Sequence, residues 1–406
     1  MRATITPGKA VGTTLAPPSK SMAHRMLMGA GLADGTSVIH NIDLSEDIKA
    51  TLGILEALGA RCQMEEEGLT KKVVIEGIGG KRVQAQQTLD AKESGSTLRF
   101  FIPILLTGGG KSRLTGAKSL FARPLGIYEE ICREQQISFL KTADSLELDG
   151  QLQAAHYKVK GNISSQFITG LLFVLPLLEA DSVLEVIPPI ESKAYIEMTL
   201  ETLGLYGIAV KREENIFYIF GNQKYRPLEG TVEGDYSNAA FLEVFNLAGG
   251  NVNVEGLKEN SLQGDKIYQV YFQTLLEENP EMDIAECPDL GPVLMGIAAA
   301  KNGAVFTGTK RLKIKESDRG AVMAEELLKF GIQVDVEENR IVVHKGTLHK
   351  PSEFLSSHND HRIAMTLTFL CTITGGVVDG CEAVRKSFPG YYDVIEKLGI
   401  RVVREN

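Results

Sequence analysis

Apolar and polar positions along the chain switch between two periods. Met22, Met26, Leu27, Ala30 and Ala33 recur at helical spacing and predict a helix from about Lys20 to Ala33, stopped by Gly35. A short strand at Ala3–Thr6 and a Pro-rich turn at Leu15–Ser19 precede it. A rhythm then sets in: an amphipathic helix closing near a glycine, a β-like strand, a charged turn, a second strand. Leu52–Gly59 leads into Ala60–Glu65 and Lys72–Glu76, and Ile127–Gln136 into Ile137–Lys141 and Ser145–Leu148. Thr199–Gly204 leads into Ile208–Arg212 and Ile216–Phe220, and Val322–Gly331 into Ile332–Val336 and Arg340–His344. Tyr268–Glu278 opens a less regular copy, and Val394–Gly399 runs into Ile400–Val403. Six such units, mostly about 70 residues apart, have the spacing of internal repeats.

A second class of helix alternates with the first. Ser96–Thr107, Gln166–Leu178, Tyr236–Ala248, Leu290–Ala300 and His361–Thr374 are apolar or small nearly all round, which predicts burial on most sides. With the Lys20 helix they make six buried helices. Each begins on polar residues: Ser19, Gly95-Ser96, Ser164-Ser165, Asp235, Asp289 and Asn359-Asp360. Helix N-termini gathered toward one space would favour an anionic ligand there. The polar stretch Arg226–Glu233, with Pro227 and Gly230, interrupts the pattern and marks a boundary. A second crossing near Thr13–Ser19 would return the first strand to the C-terminal half. The expected organisation is α/β with two lobes, 1–14 plus 233–406 and 15–232, since 406 residues exceed one ordinary core.

Composition narrows the function. A net charge of −9 argues against general nucleic-acid binding, so any anion site must be a local basic pocket. The cysteines Cys62, Cys132, Cys287, Cys371 and Cys381 are odd in number, scattered and without a Cys-x-x-Cys, which predicts reduced thiols and a cytoplasmic protein. The stretch Met-Arg-Ala-Thr-Ile-Thr-Pro-Gly has no apolar run, so no signal peptide is expected. Phe167–Leu178 is the longest greasy run, yet it is too short to span a bilayer and contains Thr169, Gly170 and Pro176, so no membrane association is expected.

Several motifs dissolve on inspection. Thr107-Gly-Gly-Gly-Lys-Ser112 lacks the first glycine of a phosphate loop, because position 105 is Leu105. Gly77-Ile-Gly79-Gly80-Lys81-Arg82 lacks the third glycine of a dinucleotide fingerprint. His358-Asn-Asp-His361 reads as a capped helix start with no third metal ligand apparent in the sequence. More telling is Lys315-Glu316-Ser317-Asp318-Arg319, two bases and two acids at the start of one helix, with Ser317 the expected N-cap. Lys20, Arg25, Arg123, Lys315, Arg319, Arg362 and Lys386 occupy comparable places in successive units. Bases repeated at helix starts in an acidic protein point to a polyanionic small molecule. Asp289 precedes an apolar helix, where burial could raise the basicity of its carboxylate.

At this point the chain resembles the 5-enolpyruvylshikimate-3-phosphate synthase family over nearly its whole length. The landmarks occur in order: Pro18-Ser19-Lys20-Ser21 with Arg25, Gly95 with Arg99, Arg123-Pro124, Ser164-Ser165-Gln166-Phe167, Ser192-Lys193 with Tyr195, and Gly234-Asp235. Pro288-Asp289, Lys315–Arg319, Asn359-Asp360-His361-Arg362-Ile363-Ala364-Met365 and Lys386-Ser387-Phe388-Pro389 follow. The resemblance implies a two-domain inside-out α/β barrel of six βαβαββ units, three per domain, with the active site in the cleft between domains. It implies transfer of the enolpyruvyl group of phosphoenolpyruvate to the 5-hydroxyl of shikimate 3-phosphate, with loss of phosphate from a tetrahedral adduct. Such chemistry needs a base, an acid for the methylene carbon and cations for the anionic groups. It demands no metal and no cofactor, and a monomer is expected.

Carried over residue by residue, Asp289 matches the proton acceptor and Glu316 the donor to carbon, with Lys20 beside both substrates. Lys20, Ser21, Arg25, Ser164, Ser165, Gln166, Ser192, Asp289 and Lys315 match shikimate 3-phosphate contacts. Lys20, Gly95, Arg123, Gln166, Arg319, Arg362 and Lys386 match phosphoenolpyruvate contacts. Glu93, Pro18, His24 and Arg311 depart from residues common in the family, which bears on inhibitor sensitivity and affinity. Two rival readings remain. A UDP-N-acetylglucosamine enolpyruvyl transferase typically carries a cysteine five residues before its Arg-Pro, where this chain has Lys118. A non-catalytic anion-binding module on the same scaffold would not need both Asp289 and Glu316.

Overall fold

The structure, a computed structural model, describes residues 1–79 and 88–405. The Gly80-Lys81-Arg82 part of the glycine-rich stretch therefore lies outside the described residues, and Thr107–Ser112 is a turn entering the Lys111–Thr115 strand. The chain divides into two compact units, Met1–Ser19 with Glu233–Asn406, and Lys20–Val232. Each has its own hydrophobic core. The first crossing falls after Ser19, later than the expected division between 14 and 15. Val11–Leu15 is a strand in parallel register with Asn251–Glu255, and the N–H groups of Ala16 and Ser19 donate to the carbonyls of Glu255 and Glu233. These backbone bonds hold the segment to the first unit up to the residue before the Lys20 helix.

Five four-stranded sheets share one pairing scheme: a parallel pair followed by two antiparallel strands. In one, Thr88–Asp90 runs parallel to Lys111–Thr115, which pairs antiparallel with Ser145–Asp149, which pairs with Ser138–Lys141. A parallel neighbour requires a crossover, and here the all-round apolar helix Gly95–Leu105 supplies it. An amphipathic helix then leads to the hairpin. That is the repeated unit read from the sequence. Two copies are closed by distant strands: Arg2–Ile5 completes the C-terminal copy between Gly376–Asp379 and Val402–Glu405, and Glu229–Thr231 pairs with Thr36–Ile42. The irregular copy is abbreviated. Among the described residues it keeps its parallel pair, Val11–Leu15 with Asn251–Glu255, and the Tyr268–Thr274 helix, but no hairpin. After Thr274 the segment runs through Glu277, Glu278, Asn279 and Pro280, which offers no alternating strand pattern, and goes directly into the Glu281–Asp283 strand of the next copy.

The helices Lys20–Leu32, Gly95–Leu105, Ser165–Val174, Tyr236–Glu243, Gly291–Ala300 and His361–Thr374 are buried nearly all round. Helices such as Gly126–Glu134 and Lys193–Leu205 bury one face. Each unit thus keeps apolar helices inside and lays sheets and amphipathic helices around them, the inside-out arrangement expected. Small residues permit the close packing. A Cβ at Gly170 would stand 2.7 Å from the Arg99 carbonyl oxygen and closer still to the Tyr128 hydroxyl; a Cβ at Gly296 would meet Thr366 Cγ2 at 2.5 Å. No helix among the described residues is long and apolar enough to cross a membrane, and the five cysteines are free thiols.

Because Tyr128 Oη also donates to Arg99 O at 2.7 Å, this junction cannot yield without losing a buried hydrogen bond. Gly170→Val is expected to destabilise the protein by roughly 1–3 kcal/mol through overpacking. Urea unfolding would check it, and an unchanged midpoint would contradict the close approach of these two helices.

Candidate active site

In the Lys20–Val232 unit the expected residues collect at the starts of three buried helices. Lys20 opens its helix and its Nζ lies 3.0 Å from Asp47 Oδ2. Arg25, a turn later, donates from Nε to Thr199 Oγ1 at 3.0 Å, from Nη1 to the Ser21 carbonyl at 2.7 Å, and from Nη2 to the Tyr195 carbonyl at 2.9 Å and Thr169 Oγ1 at 3.3 Å. Four of its N–H groups are thus bound to neutral oxygens, and burial lowers its pKa to about 10. Through Arg25 the Lys20 helix is joined to the Ser165 helix and to the Lys193 helix. Ser192, buried and in the left-handed region at φ 55°, starts the latter.

Ser94 caps the Gly95–Leu105 helix, its Oγ accepting the Thr97 N–H at 3.2 Å. Gly95 is needed for space: a Cβ there would lie 2.9 Å from Arg123 Nη1 and 3.0 Å from Arg99 Nη1. Gln166 Oε1 accepts from Arg99 Nη1 at 2.7 Å, and its Nε2 donates to Ser96 Oγ at 3.0 Å. Arg99 Nη2 also donates to the Pro124 carbonyl at 3.1 Å, holding the turn that presents Arg123. Ser164 caps its helix by accepting the Gln166 N–H at 3.3 Å, with Ser165 buried beside it. Gly95, Arg123, Gln166, Ser164 and Ser165 therefore belong to one neighbourhood, with Arg99 as its brace.

In the other unit the centre is Arg319, 1% exposed. Its Nη1 donates to Asp289 Oδ1 at 2.7 Å, its Nη2 to Glu316 Oε2 at 2.6 Å and its Nε to Asp360 Oδ2 at 2.8 Å. Lys315 Nζ lies 3.0 Å from Asp289 Oδ1, and Arg362 Nη2 lies 3.4 Å from Asp289 Oδ2. Arg362 Nη1 donates to Ser237 Oγ at 2.6 Å. Burial alone would raise the Asp289 carboxyl, but Lys315, Arg362 and Arg319 hold it well below the usual carboxylate range. Burial lowers Lys315 despite Asp289, and Asp360, Glu316 and Asp289 outweigh burial to raise Arg319. Burial, then the charge of Asp289, push Asp265 up to about 6. Lys386 stands at the edge of this group, its Nζ donating to the Asn359 carbonyl at 2.6 Å.

Two local expectations change. Asp318 caps the Arg319–Lys329 helix in place of Ser317, accepting the Ala321 N–H at 3.2 Å. Ser317 Oγ instead donates to Asp360 Oδ2 at 3.1 Å, because that carboxylate lies within its reach. His358 does find acidic company: its Nε2 lies 2.8 Å from the buried Glu326 Oε1 and 3.9 Å from Glu325. His361 takes no part in that group, and Lys329 Nζ already binds Glu326 at 2.8 Å. Asp360 caps its helix through the Arg362 N–H at 2.9 Å, as expected of a capped start. Sequence reasoning gave no role to Asp47, Arg99, Ser237 or Asp265. Arg99 and Asp360 stood within quoted motifs, whereas nothing local to Asp47 or Asp265 signals a partner.

A sequence profile described as EPSP synthase (3-phosphoshikimate 1-carboxyvinyltransferase) matches residues 5–395. The chain is 38% identical to a 3-phosphoshikimate 1-carboxyvinyltransferase of Clostridium perfringens, with 97% of each chain covered. It is 37% identical to the protein of that name from Clostridioides difficile, covering 98% of this chain and 97% of the relative. A solved EPSP synthase structure from Acinetobacter baumannii superposes with a TM-score of 0.80 at 24% identity, covering 99% of this chain and 100% of that one, which establishes the shared fold. With fold, motif order and whole-length similarity in agreement, the chain belongs to the EPSP synthase family.

Proposed function

We propose that this chain is a 3-phosphoshikimate 1-carboxyvinyltransferase, transferring the enolpyruvyl group of phosphoenolpyruvate to the 5-hydroxyl of shikimate 3-phosphate and releasing phosphate. The observation that carries the reading is the junction of Asp289, Glu316 and Arg319, two carboxylates 2.7 and 2.6 Å from one guanidinium. A mere anion receptor gains nothing from carboxylates that compete for its cations.

In this reading Asp289 takes the proton of the 5-hydroxyl as its oxygen attacks C2 of phosphoenolpyruvate, and Glu316 gives a proton to C3. Asp289 is ionised at neutral pH, as an acceptor must be, but its three cationic neighbours make it a weak base. Anionic substrate groups that draw Lys315 and Arg362 toward themselves would raise its basicity as the reactants bind. Arg319 stays fixed by Asp360 and keeps both carboxylates oriented. Lys20, Ser21, Arg25, Ser164, Ser165, Gln166, Ser192 and Lys315 serve shikimate 3-phosphate. Lys20, Gly95, Arg123, Gln166, Arg319, Arg362 and Lys386 serve phosphoenolpyruvate. Arg25 supports those contacts with charge that its hydroxyl and carbonyl partners do not cancel, and Arg99 holds Gln166 in place. The reading requires no metal or cofactor. It describes a monomeric cytoplasmic enzyme of aromatic amino-acid biosynthesis.

Phosphate release from phosphoenolpyruvate is expected with shikimate 3-phosphate and not with UDP-N-acetylglucosamine; the reverse pattern would transfer the chain to the sister activity, and release with neither would make it a binder. For Asp289→Asn, kcat should fall about 10²–10⁴-fold while the Kd of shikimate 3-phosphate, read by calorimetry, moves less than about threefold. Equal losses in rate and binding would make Asp289 structural.

A further inference from the structure

His24 sits between the reactive-looking Lys20 and the buried Arg25, is 1% exposed, and has no role in the scheme above. Its helix faces the Glu46–Ala57 helix across two rungs, each four residues from the other. The first is the ion pair of Lys20 with Asp47, and the second is the 2.9 Å contact of His24 Nδ1 with Thr51 Oγ1. From Thr51 the bonds continue. Thr51 Oγ1 lies 2.7 Å from Thr97 Oγ1, and Thr97 Oγ1 donates to Ser94 Oγ at 2.7 Å. Two other acceptors are open to Thr97, Thr51 Oγ1 itself and, farther at 3.4 Å, the Asp47 carbonyl.

A hydroxyl has one proton to give, and this decides the direction of the whole chain. The Thr97–Ser94 contact forms with Thr97 as the donor, so both short contacts of Thr97 hold a proton only when Thr51 donates to Thr97. Thr51 can then only accept from His24, and the imidazole carries its proton on Nδ1. Nε2 has no hydrogen-bond partner among the described residues and the ring lies edge-to-face with Phe100, centroids 6.4 Å apart. Burial, then the charges of Lys20 and Arg25, hold the His24 pKa well below its ordinary value, so Nε2 remains an unprotonated lone pair.

We propose that His24 is a positioning residue for phosphoenolpyruvate binding: donating from Nδ1, it anchors the Thr51–Thr97–Ser94 chain, and with it the Gly95 helix start, to the turn that carries Lys20. The inference rests on the reading above in which Lys20 and Gly95 contact phosphoenolpyruvate. The helix start has little room to drift, since Arg123 Nη1 already stands 2.9 Å from where a Gly95 Cβ would be. An error of a few tenths of an ångström at Ser94 is passed directly to the space between Gly95, Arg123 and Gln166.

Three variants separate positioning from bulk packing. The Asn amide can donate from the place of Nδ1, whereas the longer Gln amide reaches toward the place of Nε2. His24→Asn should leave KM for phosphoenolpyruvate within about threefold of wild type, while His24→Gln and Thr51→Val raise it about tenfold with kcat changed less than about threefold. Thr51→Val keeps the shape of the core and guards against a misfolded His24 variant. The double variant His24→Gln/Thr51→Val should be no worse than Thr51→Val alone, because both break one chain. Equal effects of Asn and Gln, or additive losses in the double variant, would overturn the proposal. The tautomer has its own readout. The ring ¹⁵N shifts of His24, assigned by difference from His24→Asn, should show a protonated Nδ1 and a bare Nε2 from pH 5.5 to 8, and a proton on Nε2 would refute the chain. A wild-type protein that fails to turn over both substrates would defeat the functional reading, while the ¹⁵N result would still decide the hydrogen-bond chain.

Discussion

A guanidinium in a dry interior must be surrounded by acceptors, and Arg319 meets that demand with carboxylates from three separate stretches of chain. Asp289 lies just before the Gly291–Ala300 helix, Asp360 caps His361–Thr374, and Glu316 precedes Arg319's own helix. Removing one partner from a buried cluster of this kind typically costs about 3–5 kcal/mol, since the others are left uncompensated. Arg319 therefore sets the mutual placement of the groups proposed for proton transfer. The arrangement also explains how Lys315 and Arg362 can crowd together: both share Asp289, and Arg362 is further tethered to Ser237.

The Lys20–Val232 unit solves the same problem differently. Arg25 is buried too, yet the groups it donates to are carbonyls and hydroxyls. Neutral acceptors bind the Arg25 N–H groups without cancelling the charge of the guanidinium. Aromatic faces assist, with Arg99 5.2 Å from the Phe167 ring centroid and Arg25 5.8 Å from that of Phe100. One unit is thus fitted with a guanidinium held by neutral oxygens, the other with acids and bases whose strengths the cations adjust.

The repeat makes both fittings possible. Each crossover helix begins at the end of a strand and is buried along its length, so its N-terminal turn is the part left for polar residues. The connection between Val11–Leu15 and the Tyr236–Glu243 helix contains the whole of Lys20–Val232, yet the parallel pairing with Asn251–Glu255 survives. An insertion of that length is tolerated because its ends are close: the Ser19 N–H donates to the Glu233 carbonyl, and Pro18 bridges Gly234.

Much of this was legible in the sequence, because it depends on local pattern. Period and glycine stops located the helices and hairpins, all-round apolarity marked the six buried helices, and the ordered motifs from Pro18 to Pro389 named the family before any coordinate was known. Three-dimensional contact decided the rest. Nothing near Asp47 announces Lys20, nothing near Asp265 announces Asp289, and only atomic distances choose Asp318 over Ser317 as a cap. The proton on His24 Nδ1 follows from three oxygens drawn from two other helices and the start of one of them. Residue types and spacing determine which groups a chain possesses and on which face they lie. Which cation meets which carboxylate is settled by the packing of remote segments, because electrostatic and hydrogen-bond energies depend on distances the linear order does not contain.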